Sequence, residues 1–287
     1  MAAFPTHEML LPELGPFLEL RGTVHTVSTE GIRHLARKFS LPEREVMAEL
    51  LLQNIWPVRF SRSMGCVTAE QLARLLRCRV LIAGCGGLGG HVAEMLARMG
   101  AGSLILCDPD AFDESNLNRQ HFCTEKTLGL PKAEVCRNAL LDIASYMDIE
   151  ARTVMLDENN LPELLARADV VIDCLDSVAR KKMLEDAAWK ASVPCVHGSV
   201  SRSEGLAVFD TTHPRPFSQL YPNETEEDAV PMNTGVLTVV GTACLMVALL
   251  MRQLRGRRGN GQLLHFDLSI PELERLSLTG PEPEGNA

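Results

Sequence analysis

The chain has 287 residues, 46% of them hydrophobic, and a formal net charge of −9. That length supports one sizeable α/β core with an appendage. The acidic balance does not suit non-specific nucleic-acid binding, which depends on neutralising phosphates, though it leaves room for a local basic site. Nine cysteines, none in a C-x-x-C pair and several inside apolar runs, read as buried free thiols of a reducing cytoplasm.

The opening MAAFPTHEMLLPELGPF lacks the basic start of a secretory leader and carries prolines and acids early, so no signal peptide is expected. The stretch TEGIRHLARKFSLPEREVMAELLLQ predicts two short helices, with Ser40 capping the second and Pro42 and Glu43 in its first turn. The pair resembles a helix-turn-helix. Its second helix, however, carries Glu43, Glu45 and Glu49 against Arg44, the wrong sign for a phosphate-facing helix, so no DNA partner is expected. Residues 1–58 are read as a small helical N-terminal extension.

From Thr68 the rhythm is regular. TAEQLARLL reads as a helix, RVLIA as a buried strand, LGGHVAEMLARMG as a helix ended by Gly100, and SLILC as a strand. KAEVCRNALLDIASYM predicts a helix, EARTV a strand, LPELLARA a helix and VVID a strand. SVARKKMLEDAAWKASV predicts a helix and PCVHG a strand. This alternation, with continuous apolar strands, defines an α/β class: a Rossmann-like, mostly parallel sheet with helices on both faces. SEGLAVFD and LLHFDLS predict antiparallel C-terminal strands flanking VLTVVGTACLMVALLM. That apolar run is shorter than the ~20 residues of a span and holds Gly241 and two threonines, so it reads as a buried helix and no membrane partner is expected. Residues 59–278 form the main domain, and 279–287 read as a disordered tail.

The chemistry begins at Gly84-Cys85-Gly86-Gly87-Leu88-Gly89-Gly90, a G-x-G-x-x-G turn directly after a strand. Gly84, Gly86, Gly87 and Gly89 let the backbone approach a phosphate at a helix N-terminus. Asp108 ends the next strand, where a carboxylate accepts from ribose hydroxyls. These features mark a nucleotide site and by default favour a nicotinamide dinucleotide. The segment from Glu114 to Val135 then gathers Asn116, Arg119, Gln120 and Lys132. Fixed cations there suit charge build-up on an attacked phosphorus better than hydride transfer. In Asp173-Cys174-Leu175-Asp176, Asp173 finishes a strand. Asp176 either holds Mg²⁺ through water or caps the helix that follows, and the two roles are compatible.

Taken in order, RFSR, GCGGLGG, DPDAFDESNLNRQ, LGLPKAEV, DCLD and GVLTVVGTA make residues 59–278 resemble the ThiF/MoeB/HesA family, relatives of the ubiquitin-activating enzymes. The resemblance implies a cytoplasmic homodimeric adenylyltransferase using ATP and Mg²⁺. Its partner would be a small ubiquitin-like sulfur-carrier protein with a C-terminal Gly-Gly, in thiamine or molybdenum/tungsten cofactor sulfur transfer. It assigns Asp108 to the ribose, Asn116, Arg119, Gln120 and Lys132 to the nucleotide and its phosphates, and Asp176 to Mg²⁺ and catalysis. Arg62 falls where the family reaches the other subunit's phosphates, with Arg59 a second choice. Three departures stand out. RPFSQLYP and LERLSLTGPEPEG lack the cysteine pairs of many members, so no zinc is expected. YPNETEEDAVPMNTG lacks the cysteine that forms covalent bonds with carriers in some relatives, leaving Cys123 as a packed thiol near the site. Ser177 stands where asparagine is usual. The acidic run 224–228 either covers a carrier's tail or is merely solvated. The same adenylation directed at a small carboxylate or a modified tRNA base, as in the threonylcarbamoyladenosine dehydratase branch, is an alternative. So is a non-catalytic nucleotide-responsive protein whose N-terminal helices bind a partner.

Overall fold

The structure, a computed structural model, describes residues 7–210, 216–221, 233–254, 262–270 and 272–277. Its N-terminal part comprises α1 (His7–Leu14), β1 (Leu18–Arg21), β2 (Val24–Val27), α2 (Thr29–Phe39), α3 (Glu43–Leu52) and β3 (Ile55–Pro57). The extension is therefore not purely helical: β1 and β2 form an antiparallel pair, and β3 joins β2 in parallel after the α2–α3 excursion.

Ser40 does not cap the second helix. It adopts φ 52° and ends α2, its backbone N–H turned back to the Ala36 and Arg37 carbonyls. Pro42 takes the position before α3 and makes no side-chain cap there. The left-handed residue is needed because the chain reverses within three residues. Helix α3 buries Val46, Met47, Leu50 and Leu51 against α4 (Ala69–Arg77), while Glu45 and Glu49 grip Arg77 at 2.9 and 2.6 Å. Its acidic residues thus tie the extension to the main domain. Helix α4 itself opens on a capping box between Thr68 and Gln71.

The main domain continues with β4 (Arg79–Ala83), α5 (Gly87–Met99), β5 (Ser103–Cys107), α6 (Lys132–Ile143), β6 (Asp148–Arg152), α7 (Leu161–Leu165), β7 (Val170–Asp173), α8 (Val178–Ala191) and β8 (Cys195–Ser201). It ends with β9 (Glu204–Asp210), α9 (Pro216–Leu220), α10 (Val236–Leu254), β10 (Gln262–Asp267) and β11 (Glu272–Ser277). Eight strands form one sheet in the order β11-β10-β9-β8-β7-β4-β5-β6. β8 through β6 run parallel, and β9, β10 and β11 are antiparallel. Side chains of β4 alternate between two cores: Val80 and Ile82 pack with α4, α5, α6 and α10, whereas Leu81 and Ala83 pack with α7 and α8. Burial on both faces explains why the strands read as unbroken apolar runs.

Strand β6 sits two residues earlier than the sequence pattern suggests, because its register with β5 is set from Ser103 opposite Asp148 to Cys107 opposite Arg152. β11, whose adjacent Glu274 and Arg275 break any strict alternation, is an element the sequence reading lacks. The apolar run forms α10, 19 residues long and half buried. Val239, Ala243, Met246 and Leu250 face the core, but Leu237 is 73% exposed and Cys244 also faces out. The acidic run 224–228 and the tail from 279 lie outside the described residues.

Two topological facts position the site. The chain runs β4 to β5 to β6 in one direction, then returns to place β7 and β8 on the other side of β4, creating a switch point between β4 and β7. The carboxyl ends are aligned there: Ala83 stands opposite both Cys107 and Asp173, and Asp173 opposite His197.

Candidate functional site

The turn after β4 is built by exclusion of side chains. Gly84 has φ +94°, and a Cβ there would meet the Cys174 carbonyl oxygen at 2.7 Å. A Cβ on Gly89 would lie 1.8 Å from the Gly84 carbonyl oxygen. Gly86 precedes the first turn of α5, which has no side-chain cap, leaving its N–H groups for a ligand.

Asp108 holds this turn from the end of β5. Its Oδ2 accepts the Cys85 N–H at 2.7 Å and its Oδ1 the Asp110 N–H at 2.9 Å. Burial pushes the Asp108 carboxyl above its ordinary range, against the opposing pull of those two N–H groups and Lys132. Lys132, the first residue of α6, is buried, with Nζ 3.1 Å from Asp110 Oδ2.

The loop carrying Arg119 is folded by its own polar residues. Asp113 Oδ1 accepts the Ser115 N–H at 2.9 Å, and Asn116 Oδ1 accepts the Asp113 N–H at 3.1 Å. Asn116 is buried and closes this turn. Arg119 Nη1 donates to the Ser115 carbonyl at 2.8 Å and to Asn118 Oδ1 at 2.9 Å. Gln120 lies against Gly86, and its buried Oε1 has no hydrogen-bond partner among the described residues.

A cavity of about 1190 Å³ opens at the carboxyl ends of β7 and β8. Of the residues singled out in the sequence, Gly87, Arg119, Gln120, Asp176 and Ser177 line it. Gly84, Gly86, Gly89, Asp108, Asn116 and Lys132 build the adjoining turn and loop rather than its walls. Asp176 is exposed, and it does not cap α8: Ser177 occupies the cap position and makes no side-chain bond. Arg62 sits exposed in the 3₁₀ turn Val58–Ser63, outside the cavity walls. Arg59 has a structural engagement instead. It donates to the Ile143 carbonyl at 2.8 Å and lies 4.7 Å from the Tyr146 ring, outside the cavity walls of its own chain. Cys123 is buried, its thiol 3.6 Å from the Asp113 carbonyl and raised by burial, as expected of a packed thiol.

Beneath the cavity lies a polar cluster that sequence reasoning missed. Asp173 is fully buried, with Oδ2 2.8 Å from His197 Nδ1 and 3.3 Å from Lys181 Nζ. Lys181 also donates to the Gly198 carbonyl at 2.7 Å. Burial alone would raise the Asp173 carboxyl, but Lys181 and His197 outweigh it and hold the group below its ordinary range. Glu185, one helical turn beyond Lys181, accepts the Phe217 N–H at 2.8 Å, the Ser218 N–H at 3.0 Å and the Ser218 hydroxyl. The signal was the Lys181–Glu185 spacing of four, which places both on one face of α8.

A glycine turn at the switch point, with a large cavity at the strand ends lined by arginine and aspartate, defines a doubly wound α/β protein built to face a phosphate-bearing ligand. The sequence model described as the ThiF family matches residues 60–284, and the protein belongs to that family. It is 33% identical over 217 residues to the SAMP-activating enzyme E1 of Haloferax volcanii, covering 73% of this chain and 80% of that one. It is 34% identical over 206 residues to the molybdopterin-synthase adenylyltransferase of Escherichia coli strain K12, covering 70% and 83%. The crystal structure of E. coli MccB with succinimide shares the fold, with a TM-score of 0.64 at 18% identity over 77% of this chain and 71% of that one.

Proposed function

We propose that the protein is an ATP-dependent adenylyltransferase acting on the C-terminal glycine of a small ubiquitin-like sulfur carrier that ends in Gly-Gly. The observation that carries this reading is the placement of Arg119 and Asp176 on the walls of one cavity, beside a glycine turn and an uncapped helix N-terminus. The names of the relatives, an activating enzyme and an adenylyltransferase, point the same way.

In this reaction a carboxylate oxygen of the carrier's tail attacks the α-phosphorus of ATP. The bond from that phosphorus to the bridging oxygen breaks, giving an acyl-adenylate and pyrophosphate. Gly86, Gly87 and Gly89 let the backbone come close to the phosphates, and the second lone pairs of the Asp108 oxygens accept from the ribose. Asn116 holds the loop that presents Gln120 and Arg119. Arg119 and Lys132 offset the charge that builds on the phosphates, together with Arg62 of the partner subunit. The exposed carboxylate of Asp176 at the cavity wall suits a hydrated Mg²⁺, an ion usually held by one or two carboxylates. Mg²⁺ would neutralise charge on the departing pyrophosphate. The outward apolar side of α10, with Leu237 and Cys244, supports a homodimer, and the free thiols suit the cytoplasm.

The test is ATP–pyrophosphate exchange with a purified carrier ending in Gly-Gly, followed by mass spectrometry of the carrier's C-terminus. An adenylate mass that depends on ATP is expected. Absence of exchange together with carrier-independent reduction of a nicotinamide dinucleotide would overturn the reading.

A further inference from the structure

We propose that Glu185, His197 and Asp210 form a buried site for one divalent cation of the zinc class, beneath the cavity and separate from Asp176. The three residues come from α8, β8 and β9. On the sheet, Asp210 stands opposite Cys195, and His197 lies two residues along β8 on the same face. One donor atom from each of the three lies within 4.8 Å of the others, and all three residues are buried.

The decisive atom is His197 Nε2. The residue is 1% exposed, and among the described residues Nε2 has no hydrogen-bond partner. Its other nitrogen is committed: Nδ1 is 2.8 Å from Asp173 Oδ2. The same Asp173 oxygen lies 3.3 Å from Lys181 Nζ, which occupies its other side. With Nδ1–H donated to that carboxylate, the tautomer is fixed and the Nε2 lone pair is left aimed into the cluster. That lone pair faces Glu185 Oε1 at 3.9 Å, so two electron-rich atoms meet with no hydrogen between them. A cation removes the conflict. A carboxylate on one imidazole nitrogen and a metal on the other is a recurring arrangement of zinc-bound histidine.

Glu185 is oriented in the same way, by the Phe217 and Ser218 N–H groups at the start of α9. The Phe217 ring stacks on His197 at 4.9 Å. Zinc bonds to nitrogen and oxygen of about 2.1 Å place donors about 3.4 Å apart in a tetrahedron, so the 3.9 Å His197–Glu185 pair needs a closure of about 0.5 Å and the widest pair, within 4.8 Å, one of up to about 1.4 Å. Bound metal would lock α8, β8, β9 and α9 together under the cavity floor. The sequence expectation of no zinc rested on missing cysteine pairs, which says nothing about nitrogen and oxygen donors that the fold assembles.

The experiment uses the full chain and reads metal, not adenylation, so its outcome is independent of the proposed function. Chelator-stripped protein is titrated with Zn²⁺ alone against a chromophoric competitor, and metal content is measured after desalting. One equivalent per chain is expected, with affinity lowered about 100-fold or more in His197→Ala and retained in Asp176→Asn. No zinc uptake by the wild type, or a full equivalent kept by His197→Ala, overturns the proposal. If His197→Ala does not fold, the wild type loaded with Co²⁺ decides. Absorption from nitrogen and oxygen ligation supports the site, and a thiolate-to-cobalt band assigns the metal to cysteine and defeats it.

Discussion

Gly89 and Gly84 are in backbone contact so close that a Cβ on Gly89 would stand 1.8 Å from the Gly84 carbonyl oxygen and 3.4 Å from the Cys174 side chain. The obstacle is a carbonyl, not the end of a flexible side chain, so it does not swing aside. Gly89→Ala is expected to force the turn open at a cost near the upper end of the usual 1–3 kcal/mol for overpacking, about 3 kcal/mol. Denaturant unfolding measures that loss, and a fluorescent ATP analogue should no longer bind the folded fraction. Wild-type stability and nucleotide affinity in Gly89→Ala would show that the turn is looser than its geometry requires.

Arg119 makes its hydrogen bonds within its own loop, to Ser115 and Asn118. Its loss therefore removes a charge from the cavity wall without opening the core. Arg119→Ala should lower ATP–pyrophosphate exchange about 10²- to 10³-fold, as removal of one group stabilising transition-state charge does. Unfolding free energy should stay within about 0.5 kcal/mol of wild type. A large stability loss accompanying the activity loss would shift the explanation from chemistry to folding.

Arg62 is exposed and outside the cavity of its own chain. If it completes the site of a second copy, Arg62→Ala and Arg119→Ala should each be inactive alone. Mixed and re-equilibrated in equal amounts, they should regain about a quarter of wild-type exchange. Half the dimers are then mixed, and each mixed dimer holds one intact site of two. Size-exclusion chromatography confirms that dimers exchange. No recovery in exchanged dimers would place Arg62 outside the chemistry or within its own site.

The parallel core was legible because strands buried on both faces, such as Val80–Ala83 and Val170–Asp173, leave no polar alternation to confuse them with surface elements. Gly100 was legible as a helix end because its φ of 103° suits glycine alone. The N-terminal sheet was not. LELR, VHTV and IWP are three or four residues long, and β2 meets β3 only after two intervening helices. Among the candidate site residues, those of local motifs, Gly87, Arg119, Gln120 and Asp176, are brought to the walls of one cavity. Lys181 and Glu185 were missed because charged residues on a helix normally read as solvated, and His197 because nothing local in the short strand β8 marks it. Only the register of Asp173 with His197 brings them under the cavity floor.

That buried cluster also sets an acid limit. The ordinary aspartate value is 3.8, and Asp173 lies below it in the folded protein. A carboxylate with a depressed folded pKa contributes stability that is fully present above 3.8 and is lost as pH falls through the lower folded value. Asp108 has the opposite sign: burial raises it, so its contribution weakens as pH rises from 3.8 toward the raised value. Asp173→Asn leaves Lys181 buried without its anion, which should cost about 3–5 kcal/mol at pH 7. The difference between variant and wild type should shrink steadily below pH 3.8, as the wild-type carboxylate takes up its proton. Paired guanidinium unfolding curves at pH 7 and at pH 3 measure both effects. A gap of equal size at the two pH values would mean that the destabilisation comes from lost packing or amide geometry rather than from the charge on Asp173.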